Sequence, residues 1–385
     1  MTAALADLVD LAPRFARSVR VEADLLGGAA LEGFVCSASI AAVLRGLSRQ
    51  YAGAGQRAFT VTGTYGAGKS SLAVALACLV GANPAARSAA RGVIGGDLAH
   101  EISSALGVQD GYQVVSLVGS RADPAAAIEA ALDASEAAGR KARRRARSGA
   151  ASLFSRLTEF ASRSAGDGAL LVIDEMGKLL EAAAAGQGDV NAFQEIAEAA
   201  ARSDGRLIVL GLLHSSFEDY GSRLGPAARR DWAKVQGRFA DLPLSIGLEE
   251  QIDILSRAVV SRRHPEDNHA RARAVATALC PARPEAVPPL AERLHGCWPL
   301  EPLAAVGLSA LARRGLGQAQ RSLFAFLTSA EPKGFRDLLA TLPPDAERGY
   351  LAADLWDYIA ANRGVAALGA AEGPRFALGL DALDR

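Results

Sequence analysis

The chain has 385 residues, more than one ordinary domain needs, and half of them are hydrophobic, which predicts two or three folded units with a sizeable core and excludes a disordered protein. The 42 Lys and Arg residues balance the 42 Asp and Glu residues, which argues against a globally basic nucleic-acid-binding surface but leaves a local patch open. The four cysteines lie far apart without a C-x-x-C pair, which excludes a disulfide framework and most zinc modules.

The N-terminal residues and the longest apolar runs bear on location. The first residues, MTAALADLVDLAPRF, include acidic residues early and lack the apolar core of a signal peptide. The strongest apolar stretches, near 72–80 and 207–213, are about half as long as the ~20 residues that a membrane-spanning helix needs. We therefore expect a soluble, cytoplasmic protein with no membrane partner.

Strand-like and helical segments alternate over residues 39–249. A helix is predicted over 39–51, because Ile40, Val43 and Leu44 recur at helical spacing. The following segments are predicted in chain order: a strand at 59–62, a helix at 72–80, a strand at 113–118, a helix at 124–138, a strand at 169–173, a helix at 190–202, and strands at 207–213 and 242–246. Aliphatic strands without alternation, separated by helices, predict an α/β fold of three layers, with a parallel sheet covered on both faces.

The strand signal ends near residue 249, and the rest of the chain is predicted to be helical. Helical segments are expected at 250–262, 267–280, 300–314 and 318–328, with a proline-rich joint at 281–289. Four regions follow from this pattern: a lead-in over 1–38, the α/β domain over 39–249, a helical domain over 250–330, and a C-terminal helical extension over 331–385, which contains a helix near 351–361.

A glycine-rich loop follows the first strand of the predicted sheet. The residues Gly63-Thr64-Tyr65-Gly66-Ala67-Gly68-Lys69-Ser70 match the pattern G-x-x-x-x-G-K-[ST] without departure, and Ser71 follows in the next helix. Glycines let backbone N–H groups turn toward phosphates, and the helix start adds positive charge. In this pattern Lys69 contacts the β- and γ-phosphates and the Ser70 hydroxyl binds Mg²⁺. The alternative is a glycine-rich turn without a ligand.

Two carboxylates end the most aliphatic strand. Leu170-Leu171-Val172-Ile173 leads directly into Asp174-Glu175, and a buried parallel strand delivers such residues to the edge where phosphates bind. There Asp174 would hold a Mg²⁺-bound water, and Glu175 would orient or deprotonate the attacking water. The alternative is that both residues only begin the helix that starts near Met176.

Three further residues are candidates for contacting phosphates, and two of them, His214 and Arg238, have a structural alternative. His214 follows the strand at 207–213 and could contact the γ-phosphate or cap a helix or lie in the core. Arg238 precedes the last strand and could act on a neighbouring subunit's nucleotide as an arginine finger, or form a surface ion pair; Arg223, Arg229 and Arg230 are rivals. Arg321 could reach the phosphates from the helical domain.

A basic run lies between the second strand and the third. Arg140, Lys141 and the arginines at 143, 144, 145 and 147 place six cations in eight residues. On a helix they would not share one face, which favours a solvated helix end or an exposed loop. Contact with DNA or RNA phosphates through Arg140–Arg147 is the second interpretation, although no interleaved aromatic residues support base stacking.

Taken together, the loop, the acidic strand end, the polar strand tip, the Arg238 position and the trailing helices resemble the AAA+ ATPases, and within them the Orc/Cdc6-like and signal-transducing (STAND-like) branches. Several sequence segments carry a more specific resemblance: TGTYGAGKSSLA, LLVIDEMGKLLE, LLHSSFEDYG, DWAKVQGRFADLPL and QRSLFAFLTSAEPKGF. They are similar to the N-terminal ATPase modules of large bacterial anti-phage defence proteins of the BREX and related kinds. The likeness covers about residues 20–340. Members of that group usually run much longer, so their effector role is not carried over.

The resemblance implies a P-loop NTPase fold of the AAA+ kind, followed by a helical lid, with ATP and Mg²⁺ as ligands. The site residues it implies are Lys69 and Ser70 on the phosphates, Asp174 and Glu175 as the acidic (Walker B) pair after the Walker A loop, His214 as the strand-tip sensor, Arg238 as the finger and Arg321 as the lid sensor. We expect as partners further copies of the chain or the proteins of a defence complex.

Two functions from different classes remain open on the sequence. The first is an ATPase whose hydrolysis drives a switch or motor subunit, in an anti-phage defence complex. The second is a nucleotide-gated binding module for a protein or DNA partner, with little turnover. A small-molecule kinase is disfavoured because the strand tip and the trailing helices fit a switch better, and an ABC-type ATPase is disfavoured because no L-S-G-G-Q-like signature is present.

Overall fold

The computed structural model of the protein describes residues 4–12, 15, 21, 31–139, 152–221, 226–313 and 323–362. Strands and helices are numbered here in chain order. The strands are β1 (Val9–Leu11), β2 (Ala58–Thr62), β3 (Tyr112–Val118), β4 (Gly168–Asp174), β5 (Leu207–Leu213), β6 (Ala240–Pro243) and β7 (Val259–Ser261). The helices are α1 (Ala38–Ala54), α2 (Lys69–Val80), α3 (Pro84–Ile94), α4 (Gly96–Ala105), α5 (Pro124–Gly139), α6 (Leu153–Arg163), α7 (Met176–Ala184), α8 (Asn191–Arg202), α9 (Phe217–Gly221), α10 (Pro226–Gln236), α11 (Leu248–Ala258), α12 (Asn268–Leu279), α13 (Val287–Gly296), α14 (Pro302–Arg313), α15 (Leu323–Thr328), α16 (Phe335–Leu339) and α17 (Ala352–Asn362).

A five-stranded parallel sheet forms the α/β part of the chain, which confirms the predicted α/β class and parallel sheet. The strand order is β3-β4-β5-β2-β6, and every neighbouring pair in this order is parallel. The fifth strand spans Ala240–Pro243, whereas the sequence predicted 242–246. Strand β6 is a short edge strand, and aliphatic residues continue to Ile246, beyond the residues that pair with β2. For this reason the predicted segment begins and ends too late in the sequence. Helices α3, α4 and α6 were not predicted.

Helices pack on both faces of the sheet. Strand β4 is buried along its whole length, and its side chains alternate between the faces. Leu171 and Ile173 belong to a core cluster with α5, α6, α7 and α8. The alternate residues Leu170 and Val172 are equally buried, and α2 packs against β4 and β5. Both faces are therefore removed from water, which explains the continuous aliphatic runs of the sequence.

The parallel register brings three strand ends to one edge of the sheet. Thr62 at the end of β2 pairs with Leu213 at the end of β5, and Ile173 near the end of β4 pairs with Gly211. Asp174 ends β4, and Gly63, Glu175 and His214 directly follow β2, β4 and β5, so these predicted site residues are collected at the carboxyl edge. Arg238 precedes β6 and lies at the opposite, amino edge.

The chain divides into two units, and their boundaries differ from the four predicted regions 1–38, 39–249, 250–330 and 331–385. One unit is 19–245 and contains the sheet; the other joins 1–18 to 246–385. The predicted helix at 250–262 is wrong at its end, since α11 stops at Ala258 and β7 follows. The physical reason is a long-range pairing: β1 pairs antiparallel with β7, which no local sequence pattern reveals.

Residues 331–362 belong to the core of the helical unit. Phe335, Leu339 and Tyr350 are fully buried in one cluster with α11, α13 and α14. The aromatic rings of Phe335 and Tyr350 meet edge to face, with 5.9 Å between their centroids. This part of the chain completes the apolar core, and a cut near residue 330 would expose that core to water.

Across the residues that the structure describes, no helix has the length and apolar character needed to cross a membrane.

A group of three histidines surrounds a buried asparagine in the helical unit. Asn268, at the start of α12, is fully buried; its Nδ2 donates to the carbonyl of His295 and lies 2.9 Å from His295 Nδ1. The ring centroids of His264 and His295 are 4.7 Å apart, and those of His269 and His295 are 5.5 Å apart. Since an amide nitrogen can only donate, it favours the neutral imidazole with an unprotonated Nδ1.

Acidification should destabilise this unit. Burial, and then the neighbouring imidazoles, lower the pKa of His264 and His295 below the usual value. The unfolded chain therefore takes up protons near pH 6.5, before the folded chain does, so stability is complete above about pH 6.5 and falls below it. We expect the urea midpoint of the full chain to drop between pH 7.5 and pH 5.5, with a smaller drop in His295→Gln, which keeps a side-chain acceptor for Asn268. An equal drop in both proteins would contradict the role of this group.

Candidate functional site

The loop between β2 and α2 is held in a tight turn. Gly66 (φ 77°) and Gly68 (φ 83°) adopt left-handed backbone conformations that other residues rarely reach. The Ala67 N–H donates to the Thr64 carbonyl at 3.2 Å. A Cβ on Gly63 would lie 2.5 Å from the carbonyl oxygen of Leu244, so this glycine is required by a close approach of backbone.

Helix α2 starts at this loop without a side-chain cap. Its N-cap residue is Gly68, and Lys69, Ser70 and Ser71 form the first turn. The first backbone N–H groups of a helix have no partner within the helix, and they carry the positive end of its dipole. An uncapped helix start behind a glycine loop can bind an anion through these N–H groups.

The ammonium group of Lys69 is buried in the loop. Lys69 is only 5% exposed, and its Nζ donates to the carbonyls of Gly63 (2.6 Å) and Thr64 (2.8 Å) and lies 3.1 Å from His214 Nδ1. Among the described residues, no carboxylate lies within ion-pair distance of it. Burial lowers the pKa of Lys69 to about 8, although the nearby charges of Asp174 and Glu175 oppose this shift.

Ser70 and Asp174 are joined directly, although they are 104 residues apart in the sequence. Ser70 Oγ donates to Asp174 Oδ2 at 3.0 Å, and the other carboxylate oxygen accepts the Glu175 N–H at 2.9 Å. Asp174 is 9% exposed, and burial raises its pKa against the effect of these two hydrogen bonds. The Ser70 hydroxyl and the Asp174 carboxylate, two oxygen groups that can bind a metal ion, thus lie together beside a buried lysine.

Glu175 has an unusual backbone conformation at the start of α7. Its φ of 53° and ψ of 33° are left-handed, which is uncommon for a residue with a side chain. It occupies the N-cap position, yet its side chain makes no capping bond, so capping does not account for the carboxylate. The next residue, Met176, fills space that Gly211 leaves open on β5: a Cβ on this glycine would collide with the sulfur.

The Glu175 carboxylate faces one cation and one imidazole. Lys178 Nζ is 3.1 Å from Oε2, and His214 Nε2 is 3.4 Å from Oε1. Burial would raise the pKa of Glu175, but the Lys178 ammonium holds it below its ordinary value. Lys178 was not predicted as a site residue; the signal in the sequence is its spacing of three residues from Glu175 on a helix.

His214 links the loop to the acidic pair. Its ring is stacked on the ring of Tyr65, with 3.5 Å between centroids and 19° between planes. Burial, and then the Lys69 ammonium, lower the pKa of His214 to about 4, so the imidazole is neutral near pH 7. The backbone N–H of His214 donates to the Tyr220 hydroxyl at 3.3 Å. The stacking partner, the side chain of Tyr65, had no signal in the sequence.

Arg238 lies away from the loop and the acidic pair. Arg238 forms an ion pair with Glu198 of α8 at 2.8 Å, and its carbonyl accepts from the Gln56 amide. Arg321 and the basic run Arg140–Arg147 lie outside the described residues. The structure therefore brings together the loop, Asp174, Glu175 and His214, and places Arg238 at the far edge of the sheet.

Family models and curated proteins offer no relative of the chain. No family model matches the chain, and no curated protein matches it. The geometry described above is therefore the basis for a functional proposal.

Replacing Asp174 should stabilise the fold. A carboxyl whose pKa is raised by burial is less favourable as an ion in the folded chain than in the unfolded chain, so Asp174→Asn should raise the free energy of unfolding at pH 7 by about 1 kcal/mol, the scale typical of destabilised functional residues. The matched control is Asp167→Asn, since Asp167 accepts backbone N–H groups of Gln109 and Gly111 and its loss should destabilise. Urea unfolding of both variants is the measurement. A loss of stability in both would contradict the prediction.

Proposed function

We propose that the chain is a P-loop nucleoside triphosphatase of the AAA+ kind, which binds ATP with Mg²⁺ and hydrolyses it to ADP and phosphate. The observation that carries the proposal is the hydrogen bond of Ser70 to Asp174, 3.0 Å long, beside the buried ammonium of Lys69. A lysine, a hydroxyl and a carboxylate in this relation, at the carboxyl edge of a parallel sheet, have little structural use without a ligand.

The residues present fit a magnesium triphosphate. A buried cation without an ion-pair partner among the described residues calls for an anion, and the uncapped start of α2 adds N–H donors on the same loop. Ser70 and Asp174 offer oxygen ligands, which Mg²⁺ prefers. When bound, Mg²⁺ would neutralise charge that develops on the phosphates.

Glu175 is the residue that would make the site a hydrolase. Its carboxylate can accept a proton from a water molecule that attacks the last phosphate. His214 contacts both Lys69 and Glu175 and is neutral, so it can donate to a phosphate oxygen, or donate to or accept from the water. The left-handed backbone of Glu175 supports this role, because strained conformations of this kind cluster at functional sites.

One observation favours the second function, a nucleotide-gated binding module. The ion pair with Lys178 lowers the pKa of Glu175, and a carboxylate of lower pKa is a weaker base. In that case nucleotide occupancy alone would control the docking of a protein or DNA partner, and turnover would be slow.

The proposed biological role of the ATPase, and the roles of Arg321 and Arg238, rest on the resemblance of the sequence to AAA+ ATPases and to bacterial anti-phage defence proteins. It supports a cytoplasmic switch or motor subunit of a defence complex, a helical lid that carries Arg321, and a nucleotide shared between copies of the chain through Arg238. Arg238 lies at the amino edge of the sheet, away from the phosphate loop of its own subunit. This position supports an action of Arg238 on the nucleotide of a neighbouring subunit.

Glu175→Gln should separate binding from turnover. The amide keeps the size of the side chain but cannot accept the proton of water, so ATP affinity by calorimetry should stay within a fewfold while turnover falls by roughly 10²–10⁴. Lys69→Ala should instead weaken ATP binding by roughly 10- to 100-fold, because it removes charged hydrogen bonds. Wild-type turnover that is negligible and unchanged in Glu175→Gln would favour the gated module. Unchanged affinity in Lys69→Ala would refute the site itself.

Arg238→Ala should reduce turnover only in assemblies. ATP binding to the monomer should be nearly intact, while turnover at assembling concentrations should fall by roughly 10³-fold or more, on the scale of arginine fingers. Mixing Arg238→Ala with Glu175→Gln subunits should restore part of the activity, since each supplies what the other lacks.

The matched control for Arg238 is its partner in the ion pair. Glu198→Gln removes the same ion pair but keeps the arginine, so it should retain turnover if Arg238 acts on a neighbour. Equal losses in Arg238→Ala and Glu198→Gln would make Arg238 a structural residue.

A further inference from the structure

All three N–H groups of the Lys69 ammonium have acceptors. A lysine ammonium has three donors, and the three acceptors are the carbonyls of Gly63 and Thr64 and the Nδ1 of His214. An anion that binds this ammonium must therefore take one N–H from its present acceptor. The two carbonyls belong to the tight backbone of the loop, whereas His214 is a side chain that can rotate.

The contact with Lys69 defines the state of His214. Because an ammonium only donates, Nδ1 of His214 carries the lone pair, and the proton of the neutral ring is on Nε2. Nε2 is buried and has no hydrogen-bond partner among the described residues, although it lies 3.4 Å from Glu175 Oε1. The imidazole is thus placed by Lys69 on one side but lacks a full hydrogen bond on the other.

Tyr65 supplies the contact that holds this ring. Its side chain comes from the loop and stacks on His214 with 3.5 Å between the ring centroids, while Lys69 Nζ is 5.8 Å from the centroid of the Tyr65 ring. Tyr65 is 45% exposed, so the stack lies at the mouth of the site and not in the core. The ring therefore joins the phosphate loop to the tip of β5 over the ammonium.

We propose that the Tyr65 side chain is a positioning residue, which holds His214 as the third acceptor of Lys69 and keeps the phosphate site closed until an anion takes over that N–H. The proposal rests on the proposed function, whose site it regulates. It assigns to the side chain of Tyr65 a role that the loop motif, which uses only the backbone at this position, does not contain.

A closed form reduces the apparent affinity for an anion by the fraction of molecules that are open. Replacing Tyr65 by Leu removes the aromatic stack but keeps an apolar side chain, so the open form gains population. An aromatic pair stabilises by an amount that corresponds to roughly two- to tenfold in an equilibrium constant. Tyr65→Leu should therefore bind the anion roughly two- to tenfold more tightly than the wild-type chain.

The experiment titrates the full chain with magnesium pyrophosphate in a calorimeter, for wild type, Tyr65→Leu and Tyr65→Phe. The phenylalanine variant keeps the ring without the hydroxyl and should restore affinity close to that of wild type, whereas the leucine variant should bind more tightly. Equal or weaker binding by Tyr65→Leu, with wild type binding normally, would overturn the proposal and leave the proposed function intact.

A second measurement reads the imidazole directly. Nitrogen-15 spectra of the ligand-free chain should show His214 with an unprotonated Nδ1 that accepts a hydrogen bond, and this signal should shift toward a free nitrogen in Lys69→Met and on addition of pyrophosphate to wild type. If pyrophosphate binds but leaves the His214 signal unchanged, the anion does not displace His214 from Lys69, and the proposal is overturned. If wild type binds neither ATP nor pyrophosphate, the proposed function fails, and the proposed displacement of His214 by an anion fails with it. The ligand-free spectrum still reports the contact of His214 with Lys69.

Discussion

The ammonium group of Lys69 is a charge removed from water, and the arrangement of the site follows from how that charge is accommodated. Removing an unpaired charge from water is costly, and the chain offsets this cost with two backbone carbonyls and a neutral imidazole. These groups are weaker partners than a carboxylate, so the cation remains available for an anionic ligand. The lowered pKa of Lys69 reports the same imbalance.

The sheet makes this arrangement possible because it gathers distant residues at one edge. Strand β2 carries the loop and lies between β5 and β6, while β4 delivers Asp174 one strand further away. The glycines at these positions serve close approach: a Cβ on Gly119, after β3, would collide with the carbonyl of Glu175. The tight packing of backbone around the acidic pair supports the left-handed conformation of Glu175, which a free chain would rarely adopt.

In the helical unit, a buried charge is paired with an opposite charge, unlike the Lys69 ammonium. Asn268 is uncharged, burial lowers the pKa of His264 and His295, and Glu301 is paired with Arg271 at 2.6 Å and accepts the Gly349 N–H. The buried charge of Glu301 thus has a countercharge within the unit, in contrast to Lys69, whose partners leave it without one among the described residues. The absence of a countercharge for the buried Lys69 ammonium among the described residues distinguishes the candidate site from the Arg271–Glu301 pair of the helical unit.

The sequence by itself determined the features that depend on local pattern. Aliphatic runs predicted the strands β2 to β5 and, displaced along the chain, β6, but neither β1 nor β7. The glycine-lysine-serine pattern predicted the loop before α2, and the Asp174-Glu175 pair was expected at the end of β4. Only the tertiary structure decided the strand order, the stacking of Tyr65 on His214, the ion pair of Arg238 with Glu198, and the pairing of β1 with β7. Each of these joins residues that are far apart in the chain. Periodicity and spacing report which face of an element is buried, but they carry no information on which distant element covers it.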